Sequence, residues 1–194
     1  MKFVGKFFGH FKNILVHKWW VLYYCHKFGI TWRGIVHDLS KFHPTEFIES
    51  VKYYQGESSP IPACKKENGL SYGWQHHKGR NPHHYEYWVD NLDNGTPTYL
   101  HIPYEYLMEM LADWFAAGRT YKGKDFKVMD EVQWWYEKRE NPNLAMAQPV
   151  KSFINQFMYD TAFFGEVEWV KDKHNRQVLR NRLSELYLCD KYLR

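Results

Sequence analysis

Apolar residues recur at helical spacing along nearly the whole of this 194-residue chain, and no stretch alternates convincingly as a half-buried strand would. The punctuation agrees with a series of helices. A first helix from about Phe11 to Phe28 stops at Gly29, a natural C-terminal glycine. Thr31 is placed to cap a second, which carries Trp32, Ile35 and Val36 up to His37 and Asp38. Pro44 suits the first turn of a third, ending at Gly56, and a loop with Pro60 and Pro62 follows, long enough to serve as a lid. Gly79 ends a short helix; Asn81 then caps the next, with Pro82 at its first position. The polar loop "NLDNGTP" leads to Pro103 and the helix "PYEYLMEMLADWFAAG". Helices around "FKVMDEVQWWYEKRE", "PVKSFINQFMYDTAFFG" and "RQVLRNRLSELYLCDKYL" complete an all-α, compact helical bundle. The expectation is a single domain over 1–194, with a motif-bearing core at about 11–120 and C-terminal helices from about 125–194 packed on it.

The formal charge is +4 and no Lys/Arg block is long enough for a nucleic-acid arm, so no polynucleotide partner is indicated. A mild positive field does suit a small anionic ligand. Cys25, Cys64 and Cys189 are isolated and lack CxxC spacing. They argue against a disulfide framework or thiolate zinc site and for a reducing cytoplasm. The N-terminal "MKFVGKFFGHFKNILVHKWW" is interrupted by Lys6, His10, Lys12, His17 and Lys18, and no small-x-small cleavage site follows. No run approaches the roughly 18 apolar residues of a membrane span. This segment reads as an amphipathic helix packed on the domain, with a role at a membrane surface as the alternative.

The chemistry gathers in "GIVHDLSKFHP", where His37 and Asp38 adjoin at the end of an apolar segment and Lys41 follows three residues later. Burying such charge without partners costs several kcal/mol. His76, His77, His83 and His84 fall within nine residues. Asp113 lies mid-helix on a stripe with Tyr106, Met110 and Ala117, so its carboxylate needs a cation or several donors. Such a His/Asp cluster without Cys suits a divalent ion such as Mn, Fe, Zn, Co or Mg. The competing reading is a structural ion pair at Asp113 and, at Lys41, a salt bridge to Asp38.

His17, the pair His37-Asp38 and the later helical Asp113 resemble the H…HD…D signature of the HD-domain metal-dependent phosphohydrolases. The fuller string "HDLSKF…HHKGRNPHHYEYW…EMLADW" is similar to a family of unknown function near the HD-like proteins, over roughly residues 15 to 120. The resemblance implies an HD-like helical bundle in which His17, His37, Asp38 and Asp113 hold one divalent ion. Spacing alone does not choose between His17 and His26; the family-like "HKWWV" and its interval to His37 select His17. In dinuclear members extra histidines hold a second ion, a role that His77 and His84, or His83 in its place, match in order. Asp38 would then bridge. Lys41 resembles a phosphate-contacting lysine of the HD-GYP subgroup, although no GYP sequence follows, and Arg80 is a second candidate for phosphate at a helix start. Asp38, Lys41 and Arg80 thus form the expected catalytic set, with metal-activated water as nucleophile and a nucleotide or other small phosphorylated metabolite as substrate. Trp74, Tyr85 and Trp88 are candidates to wall the pocket, against core packing. The ligand order also fits the HD-type di-iron oxygenases, and a non-catalytic metal- or phosphate-binding protein is the third reading. Metal identity, the number of ions and the oligomeric state stay open.

Overall fold

The structure is a computed structural model and describes residues 3–142 and 144–193. Among the described residues it is an all-α fold of nine helices with one very short hairpin. The helices are α1 (Phe3–Lys27), α2 (Thr31–Val36), α3 (Pro44–Tyr53), α4 (Pro60–Asn68), α5 (Tyr72–Lys78), α6 (Tyr104–Lys122), α7 (Val128–Lys138), α8 (Gln148–Phe164) and α9 (Lys173–Leu193). Strands β1 (Val89–Asn91) and β2 (Pro97–Tyr99) pair antiparallel with Val89 opposite Tyr99.

The bundle is organised on the packing of α1 against α6. Val21, Tyr24 and Cys25 of α1 are buried with Leu107, Met108, Leu111 and Phe115 of α6, and the Tyr24 and Phe115 rings lie 5.7 Å apart. Each such side chain removed from water contributes about 1.5–3 kcal/mol. The same core continues through Trp135 of α7, Phe153 and Phe157 of α8, and Leu179 and Leu183 of α9. α2 folds back on α1 after Gly29, whose φ of +74° lets the chain turn. The close approach depends on Gly34: a Cβ there would stand 2.8 Å from Cys25 Cβ and from the Leu22 backbone. That contact brings the end of α2 beside the middle of α1.

Several boundaries differ from the sequence reading. α1 starts at Phe3, not near Phe11. Thr31 is the first helical residue and caps nothing; its Oγ1 sits 3.2 Å from His26 Nδ1. The supposed loop around Pro60 and Pro62 is α4. Both prolines fall in its first turn, where no intrahelical N–H is needed, Ser59 Oγ accepts from Ile61 N, and Gly69 closes the helix at φ +76°. No helix starts at Pro82. The Asn81 amide donates to Ser40 Oγ and to the His77 carbonyl, each at 2.8 Å, and the chain turns into a 3₁₀ segment at Tyr85–Trp88.

α7 adds an ionisable group to the interior. Glu131 is only 8% exposed, and its Oε2 packs on α6 where a Cβ at Gly118 would stand 2.9 Å away. Burial first, and Asp113 second, push its pKa up to about 8. The folded protein therefore holds a proton that the unfolded chain releases near 4.5. The associated stability is fully present below that lower value and is lost as pH rises toward 8. The histidines held below their ordinary pKa, His10, His17 and His84, work in the opposite sense, so Glu131 is read from the difference: Glu131→Gln should gain stability relative to the wild type between pH 5 and 8, by on the order of 1–3 kcal/mol at pH 8. A difference between the two melting profiles that does not change over this range would contradict the assignment.

Candidate metal centre

Four parts of the chain meet beside α1. α2 ends at Val36, His37 is extended at φ −52° and ψ 131°, and Asp38 is left-handed at φ 52°. Among the described residues Asp38 is the sole non-glycine with positive φ, a conformation costing about 1–2 kcal/mol that Asp tolerates better than most. The break turns His37 and Asp38 toward one space. A 3₁₀ turn at Leu39–Phe42 follows, in which residues three apart eclipse, so Lys41 Nζ comes within 2.7 Å of Asp38 Oδ2. His17 enters from α1, Asp113 from α6, His77 from α5, and His83 and His84 from the turn after Asn81. In that turn the two adjacent rings lie 4.3 Å apart, as they could not on a helix.

The donors form two sets joined by Asp38. His17 Nε2 is 2.9 Å and His37 Nε2 3.6 Å from Asp113 Oδ1, and His37 Nε2 is 3.1 Å from Asp38 Oδ2. The other Asp38 oxygen, Oδ1, is 3.4 Å from His77 Nε2 and 3.3 Å from His83 Nε2. His77 Nε2 in turn stands 2.8 Å from His84 Nε2. The grouping His17, His37, Asp113 and the grouping Asp38, His77, His83, His84 each bring their donor atoms within 4.8 Å of one another.

The directions of these atoms matter more than their nearness. His17 Nε2, His37 Nε2, His83 Nε2 and both Asp38 oxygens are buried without a hydrogen-bond partner, although opposite charges stand close by. Leaving one such group unsatisfied costs about 1–3 kcal/mol, so five together require compensation. Glu109 shows what compensates. Its Oε1 takes His37 Nδ1 at 2.9 Å, while Arg33 holds its Oε2 at 2.6–2.7 Å. His37 Nδ1 is committed to Glu109 and its Nε2 faces Asp38 and Asp113. Burial disfavours the imidazolium, but Asp38 first and Asp113 next outweigh it and raise its pKa well above the ordinary value, so that a proton stands where a metal cation between the carboxylates would displace it. Glu46 does the same for the other set: Oε2 binds His77 Nδ1 at 2.8 Å and leaves His77 Nε2 facing Asp38 and His84. The residues fit one or two divalent ions.

Burial works against ionisation of Asp38, but His37 and Lys41 hold its carboxyl well below the usual range. At Asp113 burial is opposed by His17 and His37, with the same result. Burial and the neighbouring His83 and His77 keep His84 well below an ordinary imidazole, hence neutral. Burial disfavours the Lys41 ammonium too, yet Asp38 and Asp113 outweigh it and push its pKa up. A cavity of about 200 Å³ opens over this floor, lined by Lys41, His17, His77, His84 and Asp113 and walled by Ile14, Trp74 and the start of α4 at Ser59–Ile61.

Arg80 is not brought to the centre: it is exposed and donates to the His76 carbonyl at 3.4 Å, and the helix start that would have aimed it is absent. Tyr85 and Trp88 pack against the core, so of the three aromatic candidates Trp74 alone lines the cavity. His26 is exposed on the far end of α1. His76 binds Glu46 Oε1 at 2.6 Å and stacks on His43 at 4.4 Å. Glu46, Glu109 and Arg33 were missed. The legible signal for Glu109 was its position four residues before Asp113, on the same helix face.

Wild-type protein should bind at least one divalent ion, and Asp38→Ala should lose it on elemental analysis after reconstitution. Glu109→Gln, which leaves every proposed ligand in place, should weaken affinity about 10–100-fold. Equal, near-zero metal in wild type and Asp38→Ala would remove the centre altogether.

Residues 6–160 match a family of unknown function (DUF5662), a span from α1 into α8 that includes every residue of the centre. No curated protein and no solved structure matches the chain. A match over that share of the sequence makes this protein a member of the DUF5662 family.

Proposed function

We propose that this protein is a metal-dependent phosphohydrolase acting on a small phosphorylated metabolite, nucleotides included. The observation that carries the reading is Asp38, which directs one carboxylate oxygen to each of two histidine-rich donor sets under a cavity with a fixed ammonium at its edge. The resemblance of His17, His37-Asp38 and Asp113 to the HD-domain signature supports it. The donors are five imidazoles, His17, His37, His77, His83 and His84, with two carboxylates, Asp38 and Asp113. That ratio favours iron, zinc or another imidazole-binding metal over magnesium. A divalent ion held there supplies Lewis acidity toward a phosphoryl oxygen and toward water.

The remaining work belongs to the chain. Lys41 stays charged and is anchored on Asp38 at 2.7 Å, so its ammonium is held at the cavity edge where phosphate oxygens gather charge. Glu109 and Glu46 keep the Nδ1 protons of His37 and His77 and so fix the ring orientations. Ile14, Trp74 and Ile61 exclude water from the far wall. The cavity lies below the 300–1,000 Å³ of drug-sized ligand sites, which favours a small ester over a large one.

The imidazole-rich donor set equally suits iron, which keeps an HD-type di-iron oxygenase as the second reading. A phosphate-release screen over phosphomonoesters with Fe-, Mn- and Zn-reconstituted protein, run beside an oxygen electrode, separates the two. On the phosphohydrolase reading, Lys41→Ala should keep its metal and fold while kcat per bound metal falls about 10²–10³-fold. Asp38→Ala should lose metal and turnover together. An unchanged kcat per metal in Lys41→Ala, with oxygen uptake in the iron form, would transfer the assignment to the oxygenase.

A further inference from the structure

α1 turns one face to the catalytic cavity and another to solvent, and the solvent face is apolar. His10, Ile14 and His17 point inward. On the opposite side Phe8 is 65%, Phe11 39%, Leu15 48% and Trp19 63% exposed, at spacings of three and four that make one stripe. The stripe extends onto the 3₁₀ turn, where Phe42 is 40% exposed and its ring lies 6.2 Å from that of Phe11. Isolated exposed apolar residues need no explanation, but a continuous aromatic stripe of this length marks an interaction surface.

Charge identifies the occupant. Residues 1–43 hold seven basic residues and one acidic residue, Asp38, which is buried in the metal centre. Residues 44–194 hold 19 basic and 21 acidic. Within that segment Arg33, Lys41 and Lys27 pair with Glu109, Asp38 and Glu168, and Lys18 donates to the His37 carbonyl, so the charge presented at the stripe is chiefly that of Lys12. α1 itself contains no Asp or Glu, and Lys12 stands exposed beside the stripe with no ion-pair partner among the described residues. Two copies packed stripe to stripe would bring like charges together, which disfavours a second copy of this chain. The cavities over the metal centre, on α3 and α4, beside Tyr187 and beside Trp169 take in no residue of the stripe, so none of these four would seat a peptide or helix against it. An aromatic helix face flanked by the exposed Lys12, on a helix without a carboxylate, matches an anionic lipid surface, into which such helices sink about 5–10 Å.

We propose that the outer face of α1 docks this protein on anionic lipid bilayers. The metal centre would then lie across α1 from the lipid, about one helix diameter, 10–12 Å, from the headgroups. The inference does not depend on which reaction the centre performs.

Co-sedimentation with phosphatidylglycerol/phosphatidylcholine vesicles tests it, with pure phosphatidylcholine vesicles as control and sedimentation equilibrium without lipid in parallel. The wild type should pellet with the anionic vesicles at least tenfold more strongly than with the neutral ones, and less so as salt rises. Lys12→Gln should weaken binding about fivefold, since each lysine near an anionic surface contributes about 1 kcal/mol. Phe8→Glu/Trp19→Glu should abolish it while leaving melting temperature and metal content as in the wild type, because both side chains are mostly exposed. No pelleting with anionic vesicles, or pelleting unaltered in Phe8→Glu/Trp19→Glu, would overturn the proposal. So would a concentration-dependent dimer that the same double substitution disperses, since the stripe would then belong to a second copy.

Discussion

The rest of the molecule is arranged around one buried carboxylate. Asp38 is 1% exposed, sits in a backbone conformation unfavourable for any residue but glycine, and has both oxygens unsatisfied by hydrogen bonds. Each condition alone costs free energy, and a structural aspartate would escape all three by relaxing into an ordinary turn. They are mutually consistent only if the two oxygens have cationic partners on two sides. Lys41 provides part of one side. Without an ion His37 supplies the rest as an imidazolium, its pKa raised well above the ordinary value by Asp38 against the cost of its burial, and that raised pKa marks how strongly the carboxylate calls for positive charge.

Bringing those groups together takes a close helix crossing and a rigid helix. Gly34 admits α2 against α1 and so sets His37 and Asp38 beside His17. α6 is the rigid part: nine of its residues are buried, and it delivers Glu109 and Asp113 one turn apart on the face that meets α1. The division of labour between those two carboxylates follows from their surroundings. Glu109, held by Arg33 and pulled down to about 2 by His37 and His83 against its burial, is satisfied on both oxygens and orients a ring. Asp113, at the cavity wall, is left to face His17 and His37 directly.

The helical class and the converging residues His17, His37, Asp38, His77, His83, His84 and Asp113 were legible because residue type and apolar period both survive without a partner in view. What failed was punctuation. Pro60 and Pro62 read as a loop although a first turn accepts proline, and Asn81-Pro82 reads as a helix start although the Asn81 amide has a stronger use holding Ser40 and His77. Arg80 was misplaced as a consequence of that second error. Glu46, Glu109 and Arg33 were illegible for another reason: a long polar residue on an amphipathic helix has the same local pattern whether it reaches water or a buried ring. Only the tertiary arrangement tells the two apart.

That arrangement also explains how α3–α5 are attached. The shared apolar core draws on α1 and α6–α9, and none of its buried members lies in residues 44–101. α3, α4 and α5 bury little apolar side chain among themselves, chiefly Val51, Tyr53, Tyr54 and Cys64. Part of their link to the bundle is aromatic, Phe47 against Phe7 and Tyr54 against His10 of α1, and part is polar and passes through the centre: His77 to Asp38, and Asn81 to Ser40. Glu46 and His77, 2.8 Å apart, lock α3 to α5 just behind it. Charge held at Asp38 therefore ties one wall of the cavity to the other, and the free energy of binding an ion there is at the same time free energy of docking α3–α5 onto the bundle. The centre that offers a site for chemistry is thus also the joint on which the cavity is hung, and removing Asp38 acts on both through a single group.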